Sequence, residues 1–132
     1  MDPHPAVVAE DADESEHPYS PAYEVDGIGY ISGALPVDDD GGVVGGRKTA
    51  LDAALRKLEQ RLATIGMSLG EVVKVTYFVT DMTLRDDANE QFVRRFRHPR
   101  PARSFVGVSS LPYGATVEIE AIAHRNAKAA QR

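Results

Sequence analysis

Residues 117–124, Val-Glu-Ile-Glu-Ala-Ile-Ala-His, alternate between two kinds of side chain. A period of two is the signature of a β-strand, because successive side chains leave opposite faces. Val117, Ile119, Ala121 and Ala123 form one wholly apolar face, and Glu118, Glu120 and Ile122 form the other. A sheet holding such a strand can be roofed with helices on one side only. The same period runs through "EVVKVTYFVTD" (71–81), where Val73, Val75, Tyr77 and Val79 share one face and Lys74, Thr76, Phe78 and Thr80 the other. Between the strands the period lengthens. Leu51, Leu55, Leu58, Leu62 and Ile65 recur at helical spacing and predict a helix from Arg47 to Ile65, stopped by Gly66. Its charged residues, Arg61 among them, read as the wet side. Phe92 and Phe96, four apart with Val93 beside them, mark a second helix from about Leu84 to Phe96. Asp26-Gly27 reads as the turn of a hairpin spanning 23–36, with a further short strand near 17–24. The element order predicts an α+β domain whose mixed or antiparallel sheet is covered on one face by two helices.

The 132 residues suit one domain. An acidic, proline-bearing stretch over 1–16 reads as a disordered leader, 17–126 as the domain and 127–132 as a C-terminal tail. A net charge of −5 argues against nucleic acid as a partner. No run of about 18 apolar residues predicts a membrane span. The N-terminus has no basic-then-apolar signal pattern, so the expected compartment is the cytoplasm. Without cysteine there can be no disulfide, thiol nucleophile or cysteine-bound zinc. Asp38–Asp40 before two glycines lacks the alternating ligands of a calcium loop and reads as a polar turn. The histidines are too scattered to suggest a metal site. The basic run 94–103 reads as a helix C-terminus, where the dipole favours cations, followed by a loop beside a cleft.

Strand parity also applies to 102–108. Arg103, Phe105 and Gly107 point one way, and Ser104, Val106 and Val108 the other. A sheet face mixing Arg103 and Phe105 with Glu118, Glu120 and Ile122 would suit a subunit interface enclosing a small polar cleft. The plainer alternative is a cross-strand Arg103–Glu118 ion pair, contributing about 0–1 kcal/mol if exposed.

"HPYS" (17–20), "YISGALP" (30–36), "GMSLGEVVKVTYFVTDM" (66–82), Asn89, "RPARS" (100–104) and "LPYGATVEIEAIA" (111–123) together resemble the Rid family, the YjgF group of imine and enamine deaminases. The resemblance covers about residues 17–125. It implies a chorismate-mutase-like fold, a homotrimer with clefts between subunits, and no metal or organic cofactor. The implied reaction is hydrolysis of reactive 2-imino or enamino acids to 2-keto acids and ammonia. On this resemblance Arg103 holds the substrate carboxylate, a task matched by the guanidinium fork, and Glu118 activates water. Tyr19 stands at the cleft entrance, with Ser32 and Asn89 among the binding residues. The chain departs from the family pattern at Ala34, at Phe105 and in a shorter segment over 97–102. These departures raise two alternatives: a pathway-specific protein acting on a bulkier enamine or imine, with Phe105 lining the cleft, or a non-catalytic binder of small carboxylates.

Overall fold

The computed structural model describes residues 17–127 together with the backbone of Val7–Val8. The expected leader and tail otherwise lie outside the described residues. Val7–Val8 (β1) pairs with Ala22–Val25 (β2), so part of the expected leader is backbone of the sheet edge. Next come Ile28–Ala34 (β3), Lys48–Ala63 (α1), Val72–Val79 (β4), Arg85–Arg95 (α2), Ala102–Gly107 (β5) and Val117–His124 (β6). Together these strands make one sheet in the order β1-β2-β3-β6-β4-β5.

β2 and β3 are the hairpin expected at Asp26-Gly27. Both turn residues take positive φ, 54° and 79°. A two-residue turn of that hand matches the twist of the flanking strands, and Asp-Gly is a pair that tolerates it. β6 inserts antiparallel between β3 and β4, and β5 joins the far side of β4 in parallel. The parallel β4–β5 pair needs a crossover, which α2 supplies. The sheet is therefore mixed.

α1 packs on β3 and β6 through the predicted leucines. Leu51, Leu55, Leu58 and Leu62 are fully buried against Val75, Tyr77, Val79, Val117 and Ile119. Burying one such leucine stabilises the fold by about 1.5–3 kcal/mol. Gly66 ends the helix at φ 72°, with the Met67 amide donating to the Leu62 carbonyl, a Schellman close. α2 is tied to this layer by polar bonds. The Tyr77 hydroxyl donates to Gln91 Oε1 (2.8 Å), and Gln91 Nε2 donates to Asp52 Oδ1 on α1 (2.9 Å). The 38–42 segment is the polar turn expected, with the Asp38 carboxylate accepting from the amides of Asp40 and Gly42.

Three placements differ from the sequence expectation. Val73 is exposed, because the β4–β6 register shifts between Val72 and Lys74 and the bulge turns Val73 outward. Val93, beside Phe92 in the sequence, is also exposed, while Leu84, Ala88, Gln91, Phe92 and Phe96 are buried. Arg61, expected in solvent, is buried at 4% exposure. It falls on the Ala54–Leu58–Ile65 stripe, which points inward.

The outer face of the sheet carries Tyr23, Tyr30, Val106 and Ile122, each 37–46% exposed.

Candidate functional site

The cleft residues expected from the sequence fall into two groups, on opposite faces of the sheet. Arg103 pairs in register with Val75, and Phe105 with Tyr77. Tyr77 in turn pairs with Ile119 of β6. Arg103 and Phe105 therefore belong to the helix-covered face. Glu118 pairs with Phe78 and lies on the outer face. β4 stands between β5 and β6, which sets their strands about 9–10 Å apart, and the β4 partners of Arg103 and Glu118, Val75 and Phe78, lie three residues apart, about 10 Å further along the strand. The shared face expected for Arg103, Phe105 and Glu118 is thus corrected, and the cross-strand ion pair is excluded within one chain. Alternation along each of these two strands holds as expected. The phase between strands is set by register, which parity does not contain.

The first group is built around Arg103 at the open edge of the sheet. Its Nη2 donates to Asn89 Oδ1 of α2 at 2.6 Å. Its guanidinium carbon lies 5.1 Å from the Phe92 ring, 5.4 Å from Phe105 and 5.5 Å from Tyr77. Three aromatic faces hold the cation in place, while the remaining guanidinium N–H groups can form a fork for a carboxylate. Partial burial draws its pKa below the ordinary guanidinium value, yet an arginine side chain stays protonated in proteins. Phe105 thus shares a face with Arg103 as strand parity suggested, and Asn89 meets Arg103 from α2.

The second group surrounds Glu118. β3 carries an extra residue opposite β6 between Ile31 and Ala34, which bulges Ser32-Gly33 outward. A β-carbon at position 33 would lie 1.9 Å from Glu118 Oε2 and 2.7 Å from Cδ. Only glycine leaves room for the carboxylate to rest on the backbone there. The Ser32 hydroxyl donates to the Ser20 carbonyl at 2.6 Å, fixing the segment that carries Tyr19. Burial pushes the Glu118 carboxyl above its ordinary value, Glu120 pushes it the same way, and Arg61 pulls it back. A carboxylate with a raised pKa is a better proton acceptor near neutrality. Ala34 is fully buried on the helix side, so it fills core.

Arg61 is the residue sequence reasoning missed. Its Nη1 donates to the carbonyls of Ser32 (3.2 Å) and Gly33 (2.9 Å), and its guanidinium lies 5.8 Å from the Tyr19 ring. The signal that could have found it is its place on the apolar stripe of α1.

The basic run beyond α2 is largely engaged inside the chain. Arg94 pairs with Asp52, Arg95 with Glu59, and Arg100 donates to the Phe96 carbonyl. His98 sits against Arg100. A depression of about 340 Å³ between the 68–72 segment and Phe96, Arg97 and Pro101 contains none of the candidate residues. Among the described residues no cluster of histidine and carboxylate side chains is suited to a metal, and no helix is long and apolar enough to cross a membrane.

A mixed sheet roofed on one side, with a caged arginine on the covered face and a lifted glutamate on the open one, defines a chorismate-mutase-like α+β protein, the fold of its structural neighbours. The chain belongs to the family described as Endoribonuclease L-PSP, the YjgF or Rid group, whose model matches residues 9–125. It is 40% identical over 108 residues to the 2-iminobutanoate/2-iminopropanoate deaminase of Mus musculus, covering 80% of each chain. It superposes on YyfA of Yersinia pestis, a protein of the conserved Rid family, with a TM-score of 0.83 at 35% identity, covering 90% of this chain and 98% of that one. The YjgF gene product of E. coli matches with a TM-score of 0.76 at 31% identity, over 83% and 90% of the two chains.

Proposed function

We propose that this protein hydrolyses 2-imino acids to 2-keto acids and ammonia in a site shared by two copies of the chain, assembled as a homotrimer. The observation that carries this reading is the separation of Arg103 and Glu118 onto opposite faces of one sheet. Each face holds half of what imine hydrolysis needs. An interface that brings the edge of one copy against the open face of the next would complete the site, and the exposed Tyr23, Tyr30 and Ile122 supply an apolar surface for it.

In such a site Arg103, steadied by Asn89, receives the substrate carboxylate in two parallel hydrogen bonds. Phe105 borders the substrate's side chain. Glu118 of the adjoining copy holds a water against the imine carbon. Water oxygen bonds to the carbon of the protonated imine as one water proton passes to Glu118, giving a neutral carbinolamine. Glu118 returns that proton to nitrogen and then takes the hydroxyl proton as the carbon–nitrogen bond breaks, so ammonia leaves with the bond's electron pair and the keto acid remains. No electrons change hands, and no metal or cofactor is required by the balance. The mouse relative's activity supports this reading. Phe105 packed beside Arg103 supports a preference for imines with larger apolar side chains.

The test generates 2-imino acids in situ from a series of amino acids with an amino-acid oxidase and follows ammonia release. Acceleration over the spontaneous rate is expected, and it should vanish in Glu118→Gln. Failure to accelerate any imine in the series would overturn the assignment. An RNA substrate run beside it checks the activity suggested by the family's descriptive name.

A further inference from the structure

Arg61 lies outside the set the sequence suggested, and no step of the reaction above uses it. It is nevertheless a charged side chain on the inner stripe of a helix, 4% exposed. Buried arginines are rare unless something compensates the lost hydration. Here the compensation is specific. The β3–β6 register shifts at Ser32-Gly33, and one nitrogen of Arg61 donates to both carbonyls there. The same Gly33 is the floor on which the Glu118 carboxylate rests. The Arg61 guanidinium also lies against the Tyr19 ring. Three residues of the open-face group are therefore held by a fourth, reached from the opposite side of the sheet.

We infer that Arg61 is a positioning residue that fixes the Ser32-Gly33 bulge under Glu118 and sets a cation beneath that carboxylate. This rests on the deaminase reading for its catalytic consequence, though the effect on Glu118 itself does not depend on it. The charge effect has the right sign, since Arg61 opposes the upward push of burial and of Glu120 on Glu118. Among the described residues the other ionisable side chains that pairing places on this face are Glu120 and His124 on β6, Tyr23 on β2, Tyr30 on β3 and Lys74 on β4, and Tyr19 with His17 precedes β2. Lys74 donates to Ser104 on β5 at 2.7 Å, and His17 stacks on Tyr19 at 4.9 Å. Arg103 of the adjoining copy would join them in the assembled site. Arg61 is the cation bonded to the backbone beneath Glu118.

Arg61→Leu extends the apolar stripe of α1 and removes both the charge and the two bonds. Arg61→Lys keeps the charge without the guanidinium fork, and it serves as the test if the leucine variant does not fold. The primary readout is the Glu118 titration midpoint, followed by carboxyl carbon NMR in the assembled protein and assigned with Glu118→Gln. Arg61→Leu should raise that midpoint by on the order of one pH unit, and Arg61→Lys by less. In the ammonia assay kcat should fall by at least about tenfold near neutrality in Arg61→Leu, which loses two charged hydrogen bonds. KM should hold and the acid limb of the rate profile should move to higher pH. A purely structural role would lower stability and leave the limb in place. An unmoved Glu118 midpoint in either folded variant overturns the inference. If the midpoint moves but no imine is turned over by the wild-type protein, the deaminase reading fails and the role of Arg61 stands.

Discussion

Arg103→Ala and Glu118→Gln, prepared separately and then co-refolded in equal amounts, test directly whether the site spans two chains. Each variant alone should be nearly inactive. Removing the base lowers turnover by roughly 10²–10⁴. Removing Arg103 loses a charged, bidentate contact, in which each charged bond contributes about 1.5–3 kcal/mol. The structure sets what mixing should do. Arg103 lies on the covered face at the sheet edge, Glu118 lies on the open face, and β4 lies between their strands. In a closed ring each site would take Arg103 from one copy and Glu118 from the next. Random assembly places an Arg103-bearing copy before a Glu118-bearing copy at about one interface in four, so the mixture should recover about a quarter of wild-type turnover. That fraction does not depend on the number of copies in the ring. The assay is ammonia release at saturating imine, with light scattering to verify assembly and an unmixed blend of the two variants as background. Recovery no greater than that background, in a mixture shown to exchange subunits, would refute the two-chain site.

Gly33→Ala should leave the fold standing, because the group it meets is the end of a flexible side chain. Turnover should nonetheless fall about as far as in Glu118→Gln, since the carboxylate must leave its seat; thermal melting beside the ammonia assay separates the two effects. The acid limb of the rate profile should lie above the ordinary glutamate value, because Glu118 must be ionised to act and its pKa is raised by burial and by Glu120. Glu120→Gln should therefore move that limb to lower pH, which a pH series of kcat/KM would measure. Phe105→Ala should keep the chemistry while shifting the ratio of kcat/KM between small and large imino acids by roughly 10–200-fold, the range for apolar-pocket discrimination. Arg125→Ala should destabilise the fold by roughly 3 kcal/mol in chemical denaturation, because Glu24, 4% exposed, loses a paired cation in a buried place.

Much of this architecture was legible because local chemistry and global packing agree. Asp26-Gly27 could turn a hairpin only one way, and the structure shows that turn. The leucines of α1 and the alternation of β6 each had one sensible partner, the other's apolar face. The limit was reached where information is non-local. Nothing within β5 states that β4, rather than β6, will be its neighbour, and a strand's two faces are interchangeable until a neighbour sets the phase. Val73 shows the same limit on a smaller scale: one extra residue in the ladder reverses its face, and only the pairing reveals it.

Arg61 was missed for a different reason, and it bears on how such sites are built. A charge on a helix ordinarily marks the solvent side, so an arginine between Leu58 and Ile65 on the stripe that begins at Ala54 reads as an interruption. The burden of burying it falls only if the partner elements offer unpaired acceptors at the right height. The bulge offers two acceptors, at Ser32 and Gly33. At the same bulge the missing β-carbon of Gly33 leaves the room that the Glu118 carboxylate occupies. An open floor for a carboxylate, the bulge that carries it and a cation beneath thus meet at one place. Here the buried arginine of α1 faces the Ser32-Gly33 segment across the sheet from a seated carboxylate, and its place on the apolar stripe is the part of that arrangement the helix sequence carries.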